Sequence, residues 1–188
     1  MQETRAALLR AGMTLFAKQG LDAPSLDAIC DKAGFTRGAF YVHFKDRDDF
    51  IVAVMESATV SFLDGVLAAQ GGGAFDVASA VRAFALAIEG GDYPVFGDVK
   101  PHQFLAACAR SSKLRRRYVD LMKQARDRLA EAIRAGQGEK SVRRDVDAEA
   151  LAGLLVAMAL GVGTMIELGV PFEAGPHAEA LLSMVRAG

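Results

Sequence analysis

Residues 25–45 read SLDAICDKAGFTRGAFYVHFK, and the reading of this stretch decides the fold. Ser25 is a good N-cap for a short helix over 26–33, with Asp27 adding negative charge to its first turn. Gly34 ends that helix, and Thr36 caps a second one over 37–44. Two short helices about a glycine-containing turn make a helix-turn-helix. In that arrangement the second helix lies in the major groove of DNA, and its N-terminal side chains reach base edges. Arg37 suits bidentate donation to a guanine edge, Thr36 reaches base or phosphate, and Gly38 and Ala39 permit close approach. Tyr41, His43, Lys45 and Arg47 supply phosphate donors around this helix, and the helix N-terminus at Ser25 can bind a phosphate directly. Phe40 and Phe44, four apart, read as the core face that locks the two helices together. The competing reading is a plain helical hairpin, because helix–Gly–helix patterns are common.

On either side of this motif the three-to-four spacing of apolar residues continues, and almost nothing alternates with period two. Residues 3–18 place Ala6, Leu9, Met13, Phe16 and Ala17 on one helical face, and Gly20 stops that helix. A long helix is predicted over 46–69, with Phe50, Val54, Ala58 and Phe62 on one side, and Gly71-Gly72-Gly73 breaks it. Further helices are predicted over 75–89, 101–111, 114–135, 147–168 and 176–187. Gly90 to Pro94, Ser111-Ser112, Gly136-Gln137-Gly138 and 170–176 separate them. The expectation is an all-α chain of about nine helices.

Composition limits the function. In 188 residues there are 22 Lys+Arg and 23 Asp+Glu, so the chain is no global polycation. An apolar fraction of 52% with 24% charged residues excludes intrinsic disorder. Residues 1–50 balance seven basic against seven acidic side chains, so any DNA-binding basicity is local. Segment 110–144 holds twelve Lys+Arg against four Asp+Glu, but Arg115, Arg116 and Arg117 point about 100° apart on a helix, so a solvated face is expected. Cys30 and Cys108, with His43, His102 and His177, build neither a disulfide scaffold nor an obvious zinc site, and both cysteines read as small buried thiols. Gly161-Val-Gly163 lacks the third glycine and the preceding strand of a dinucleotide site. No catalytic residue, metal or cofactor is therefore expected. The opening MQETRAALLR has no signal-peptide core, which predicts a cytoplasmic protein. The uncharged run 150–166 is shorter than the roughly 20 residues a membrane span needs and is flanked by Glu149 and Glu167, so no membrane association is expected.

The first fifty residues resemble the DNA-binding domain of the TetR/AcrR family of transcriptional regulators. The matching pieces are ALLRAGMTLFAKQG, DAPSLDAIC and, above all, AGFTRGAFYVHFKDRDDF, which follows the family signature G-x-(S/T)-(R/K)-G-x-(L/F)-Y-x-H-F-x-(N/D/S)-K almost position by position. The resemblance implies DNA contacts from Thr36, Arg37, Gly38, Ala39, Tyr41, Val42 and His43, with phosphate contacts from Ser25, Lys45 and Arg47. Two departures stand out. Asp27 occupies a surface position where some relatives carry a base-reading basic residue, so it is left out of the contact set. Cys30 and Phe35 replace small aliphatic residues, which affects packing.

The resemblance further implies a DNA-binding domain over 1–47 and a helical ligand-binding and dimerisation domain over 48–188. The expected protein is a homodimeric regulator, most often a repressor, that binds a pseudo-palindromic double-stranded operator and is released by a small-molecule effector. The different-class alternative is a helical interaction module without DNA binding. In the predicted helix 147–168, Gly153, Ala157, Gly161 and Thr164 fall on a stripe of small side chains suited to close approach of a second subunit. Leu151, Leu154, Leu155, Met158, Val162 and Met165 fall on an adjacent large stripe expected to fill the chain's own core. An apolar or aromatic effector is expected among Phe62, Phe84, Phe104, Tyr118 and Met122, with His102, Gln103 and Arg110 nearest to orient its polar groups. A plain helical core is the competing reading for these aromatic residues.

Overall fold

The computed structural model describes residues 2–68, 76–89 and 99–186, without the side chains of 62, 66 and 68. The breaks expected at Gly71–Gly73 and Gly90–Pro94 lie outside the described residues. Within them the chain forms nine helices: α1 (Gln2–Gln19), α2 (Leu26–Ala33), α3 (Arg37–His43), α4 (Arg47–Ala68), α5 (Val77–Glu89), α6 (Pro101–Arg110), α7 (Ser112–Gly138), α8 (Ala148–Glu167) and α9 (Ala174–Val185). The all-α expectation holds.

Most boundaries follow from local capping chemistry. Gly20 and Gly34 adopt left-handed φ values of 84° and 77°, which a side chain would strain, and each stands just past a helix end. Asp147 caps α8 by accepting from the Ala150 amide at 2.7 Å. One boundary differs. The Gly136-Gln137-Gly138 run was expected to separate helices, yet α7 continues through it to Gly138. Side chains carry the helix past its glycines: Arg144 donates to the Gln137 and Gly138 carbonyls at 2.8 and 3.0 Å, and Gln137 donates to the Arg143 and Val146 carbonyls. Arg144 thereby satisfies two otherwise orphaned C-terminal carbonyls, while Gln137 ties the chain that follows to the helix end.

The helices gather into two compact units. The first comprises the described residues of 1–59 and 96–121, the second those of 60–95 and 122–188. In the first unit α6 and the start of α7 group with α1, α2, α3 and the start of α4. Polar links accompany that packing. Arg110 pairs with Asp22, Ser111 Oγ donates to Asp48 at 2.7 Å, Lys113 Nζ meets Asp46 at 2.9 Å, and Arg117 pairs with Glu56. The first unit's core includes Leu8, Phe16, Ile29, Phe40, Phe44, Phe50, Val54, Met55 and Phe104, all buried. In α1 the buried line is Leu8, Leu9, Ala11, Gly12 and Phe16, whereas Met13 is half-buried, so the face is rotated slightly from the expected one.

The second unit's core joins Leu63, Val77, Ala80, Leu129, Ile133, Val142, Leu151, Ala152 and Val185. A short antiparallel bridge pairs Val142 with Arg186, with the Arg143 amide donating to the Val185 carbonyl at 3.1 Å.

Candidate DNA interface

The helix-turn-helix is built by its caps. Ser25 Oγ accepts from the Ala28 amide at 3.1 Å at the start of α2, and Thr36 Oγ1 accepts from the Ala39 amide at 3.3 Å at the start of α3. Between them, the Gly34 amide donates to the Asp31 carbonyl and the Phe35 amide to the Cys30 carbonyl, closing the turn. The two helices are held from behind by an aromatic cluster. The Phe40 ring lies 5.2 Å from Phe44 and 5.3 Å from Phe50, Phe44 and Phe50 are 4.9 Å apart, and Phe16 meets Phe50 edge-on at 5.9 Å. The expected core role of Phe40 and Phe44 is thus observed.

With Phe40 committed to the core, α3 turns its remaining side chains outward. Thr36, Arg37 and Gly38 are exposed, Tyr41 is 53% and Val42 67% exposed, and Ala39 and His43 are half-buried. Two large side chains left in solvent on a seven-residue helix present a face that no described residue of the first unit covers. Ser25 and Lys45 are also exposed.

Two arginines behave differently from the sequence expectation. Arg37 binds Asp27 side-on: Nε pairs with Oδ1, and Nη2 donates to Oδ2 at 2.9 Å. Arg47 turns inward and is half-buried. Its Nη1 donates to the Pro24 carbonyl at 2.6 Å, its Nη2 donates to the Leu21 carbonyl, and its guanidinium lies 5.8 Å from the Phe16 ring centroid. These partners commit Arg47 to holding the α1–α2 loop, and the phosphate contact expected of it is corrected to a structural role.

At the start of α4, Asp46 Oδ1 accepts from the Asp49 amide at 2.7 Å while Asp49 Oδ2 accepts from the Lys45 amide at 3.1 Å. The amide donor from Asp49 and the ammonium of Lys113 hold the Asp46 carboxyl below the usual carboxylate range. A cavity of about 410 Å³ opens beside this corner, lined by Arg5, His43, Phe44, Glu56 and Arg116 among others. Its mixed charge does not match the apolar effector site expected from the sequence.

The candidate effector walls do not fall in one unit. Phe104 and Tyr118 belong to the first, Phe84 and Met122 to the second, and the Phe62 side chain lies outside the description. Burial pushes the Tyr118 phenol up to about 12. Arg110, expected to orient an effector, instead pairs with Asp22. Thr59 on α4, which the sequence reading passed over, is 4% exposed, and among the described residues neither its Oγ1 nor Oε1 of the half-buried Gln103, expected to orient an effector, has a hydrogen-bond partner. The cysteines are free and buried as expected, and burial raises the pKa of both thiols. The basic segment is largely paired: Arg126 with Asp127, Arg128 with Asp64, Arg134 with Glu149 and Arg143 with Asp145.

On α8 the expected assignment of stripes is corrected. The large residues Leu154, Met158 and Met165 stand 63%, 44% and 37% exposed, beside exposed Ala157, Gly161 and Thr164, while Gly153 is half-buried. Leu151 and Val162 of the large stripe do face the core as expected, joined by Ala152 and Gly163. This helix has the length and composition to cross a membrane.

Fold and motif together define an all-helical helix-turn-helix protein. Residues 8–54 match the model of bacterial regulatory proteins of the tetR family, and residues 102–187 match the C-terminal model of BetI-type transcriptional repressors. The chain belongs to the TetR/AcrR family of transcriptional regulators. It is 46% identical over 55 residues to the HTH-type transcriptional regulator AcrR of Shigella flexneri, an alignment covering 29% of this chain and 26% of that protein. A TetR-family structure from a Rhodococcus species superposes over 100% of both chains with a TM-score of 0.84 at 20% identity. A SmeT–triclosan complex is similar over 97% of this chain and 91% of its own, with a TM-score of 0.72 at 23% identity.

Proposed function

We propose that this chain is a ligand-responsive repressor that binds a pseudo-palindromic DNA operator as a homodimer. The observation that carries the reading is the solvent face of α3, where Arg37, Tyr41 and Val42 stand outward from a helix anchored by Phe40. A helix so presented enters the major groove. Arg37 reads a base edge; Thr36, Gly38, Ala39, Tyr41, Val42 and His43 contribute to the same surface; and Ser25 and Lys45 hold phosphates.

Two-fold symmetry presents the pair of α3 helices about 34–36 Å apart, one turn of DNA. The exposed apolar strip of α8, with Leu154 and Met158 beside Ala157 and Gly161, supports a subunit interface there. An apolar strip of this kind on a soluble protein marks a partner surface. An apolar or aromatic effector fits the family's second domain, and the SmeT complex with triclosan supports that chemical class. Thr59 Oγ1 and Gln103 Oε1, both buried and without a partner among the described residues, are polar groups such a ligand would satisfy. The protein acts in the cytoplasm, as a regulator and not as an enzyme.

Genomic fragments retained by the purified protein identify the operator. On it, Arg37→Ala is expected to cost about 1–3 kcal/mol and relax one base position per half-site, whereas Lys45→Ala weakens all sequences alike and flattens the salt dependence. Unchanged base preference in Arg37→Ala would sink the role assignment. Gly161→Arg places a charge in the proposed seam and is expected to give monomers with weak operator binding. Sedimentation showing an unchanged dimer would remove α8 from the interface. Retention of no fragment at low salt would favour the helical interaction module.

A further inference from the structure

We infer that Asp27 is a positioning residue for base recognition: it holds Arg37 so that one edge of the guanidinium faces a guanine and the other cannot stray to phosphate. The inference rests on the reading of Arg37 as the base-contacting residue. The chain places the pair deliberately in space. Ser25 caps α2 and sets Asp27 in its first turn; Thr36 caps α3 and sets Arg37 in its first turn; the left-handed Gly34 folds the two starts together. Ten residues apart in sequence, the two side chains meet side-on through Nε with Oδ1 and Nη2 with Oδ2.

A guanidinium carries five N–H donors in a fixed plane. The Asp27 contact uses the Nε hydrogen and one hydrogen of Nη2. Three remain, and one from each terminal nitrogen lies parallel along the free end. That end is the fork that matches O6 and N7 of guanine. The pair also alters what Arg37 does with the wrong partner. An untethered arginine at a DNA surface binds any phosphate, because backbone attraction is independent of sequence. Here the carboxylate neutralises the guanidinium locally and repels phosphate. In water the exposed ion pair contributes little. Against DNA, where water leaves, the same pair fixes the fork when it matters.

Repulsion alone makes a different prediction. If Asp27 only repels the backbone, removing it strengthens binding to every duplex equally and leaves base preference intact. If it positions Arg37, removing it lowers the preference for guanine at one position per half-site, and only while Arg37 is present.

The test partitions a randomised duplex library on the purified protein and measures base preference for the parent, Asp27→Ala, Asp27→Asn, Arg37→Ala and the double variant Asp27→Ala/Arg37→Ala. Asp27→Asn keeps the shape and removes the charge, and thermal melting checks that every variant is folded. The expected result is a guanine preference reduced about three- to tenfold in Asp27→Ala and less in Asp27→Asn, with non-specific affinity raised in both. The double variant is expected to match Arg37→Ala alone. Intact guanine preference in Asp27→Ala, alongside its loss in Arg37→Ala, would overturn the positioning role and leave the recognition reading standing. Intact preference in Arg37→Ala would overturn both.

Discussion

Arg47 stands where the family signature has a lysine beside the recognition helix, and two roles predict opposite results for its removal. In the structure its guanidinium spans the loop between α1 and α2, donating to the Pro24 and Leu21 carbonyls and lying over Phe16. Hydrogen bonds from a charged donor contribute about 1.5–3 kcal/mol each, and a cation over an aromatic ring adds about 0.5–1. The site is half-buried, so water recovers part of the loss when the side chain goes. Arg47→Ala is accordingly expected to destabilise the fold by about 2–4 kcal/mol, a fall in melting temperature of roughly 4–15 °C for a chain this long. Arg47→Lys keeps the charge but replaces a planar fork with a point donor that cannot reach both carbonyls in line. It is expected to recover less than half of that stability.

Melting curves for the two variants, paired with operator binding across a salt series, separate the roles. A loop brace moves the melting curve and leaves the salt slope unchanged once the protein is held well below its transition. A phosphate contact reduces the slope by about 1 per subunit and leaves melting within about 0.5 kcal/mol of the parent. The second pattern would refute the inward assignment, and with it the reading that the α1–α2 loop depends on α4.

Gly12→Ala is expected to destabilise despite the usual gain of about 1 kcal/mol for alanine in a helix, because the new Cβ would lie 2.6 Å from Cε1 of the buried Phe50 ring, and overpacking costs about 1–3 kcal/mol. Phe50→Leu in the same chain should relieve that clash, and denaturant unfolding of the double-mutant cycle reads the coupling. Asp46 has its carboxyl pKa depressed in the folded state, so its contribution is present above the ordinary carboxylate value of 3.8 and is lost as pH falls through the folded one. Asp46→Asn should therefore flatten the acid limb of a stability–pH curve, and an unaltered limb would show that the Lys113 and Asp49 contacts do not matter.

What the sequence made legible was local. Ser25, Thr36 and Gly34 specify their caps and turn through contacts three to five residues away, so the helix-turn-helix and its boundaries could be read from the chain. The relations that escaped reading were distant or had no side-chain signature. Arg47 reaches carbonyls 23 and 26 residues earlier, and a carbonyl looks the same at every position. The Asp27–Arg37 pair is ten residues apart across a turn whose geometry decides whether they meet. Arg144 reverses the meaning of the Gly136-Gln137-Gly138 run by capping the Gln137 and Gly138 carbonyls from beyond the helix.

On α8 the difficulty was of another kind. Periodicity resolved a small stripe and a large stripe, but which one faced inward depends on the neighbours, and Leu151, Ala152 and Val162 took the core-facing side. The consequence bears on function. Had Leu154, Met158 and Met165 packed inward, the small stripe alone would have been left outside, which one helix could cover at close range. Instead large and small side chains share the exposed strip, giving knobs and the spaces beside them on the same surface. A two-fold interface needs both on one surface, since each subunit must supply to the other what it receives. The exposed strip of α8 therefore argues for a second copy of this chain as its cover more strongly than the small stripe did.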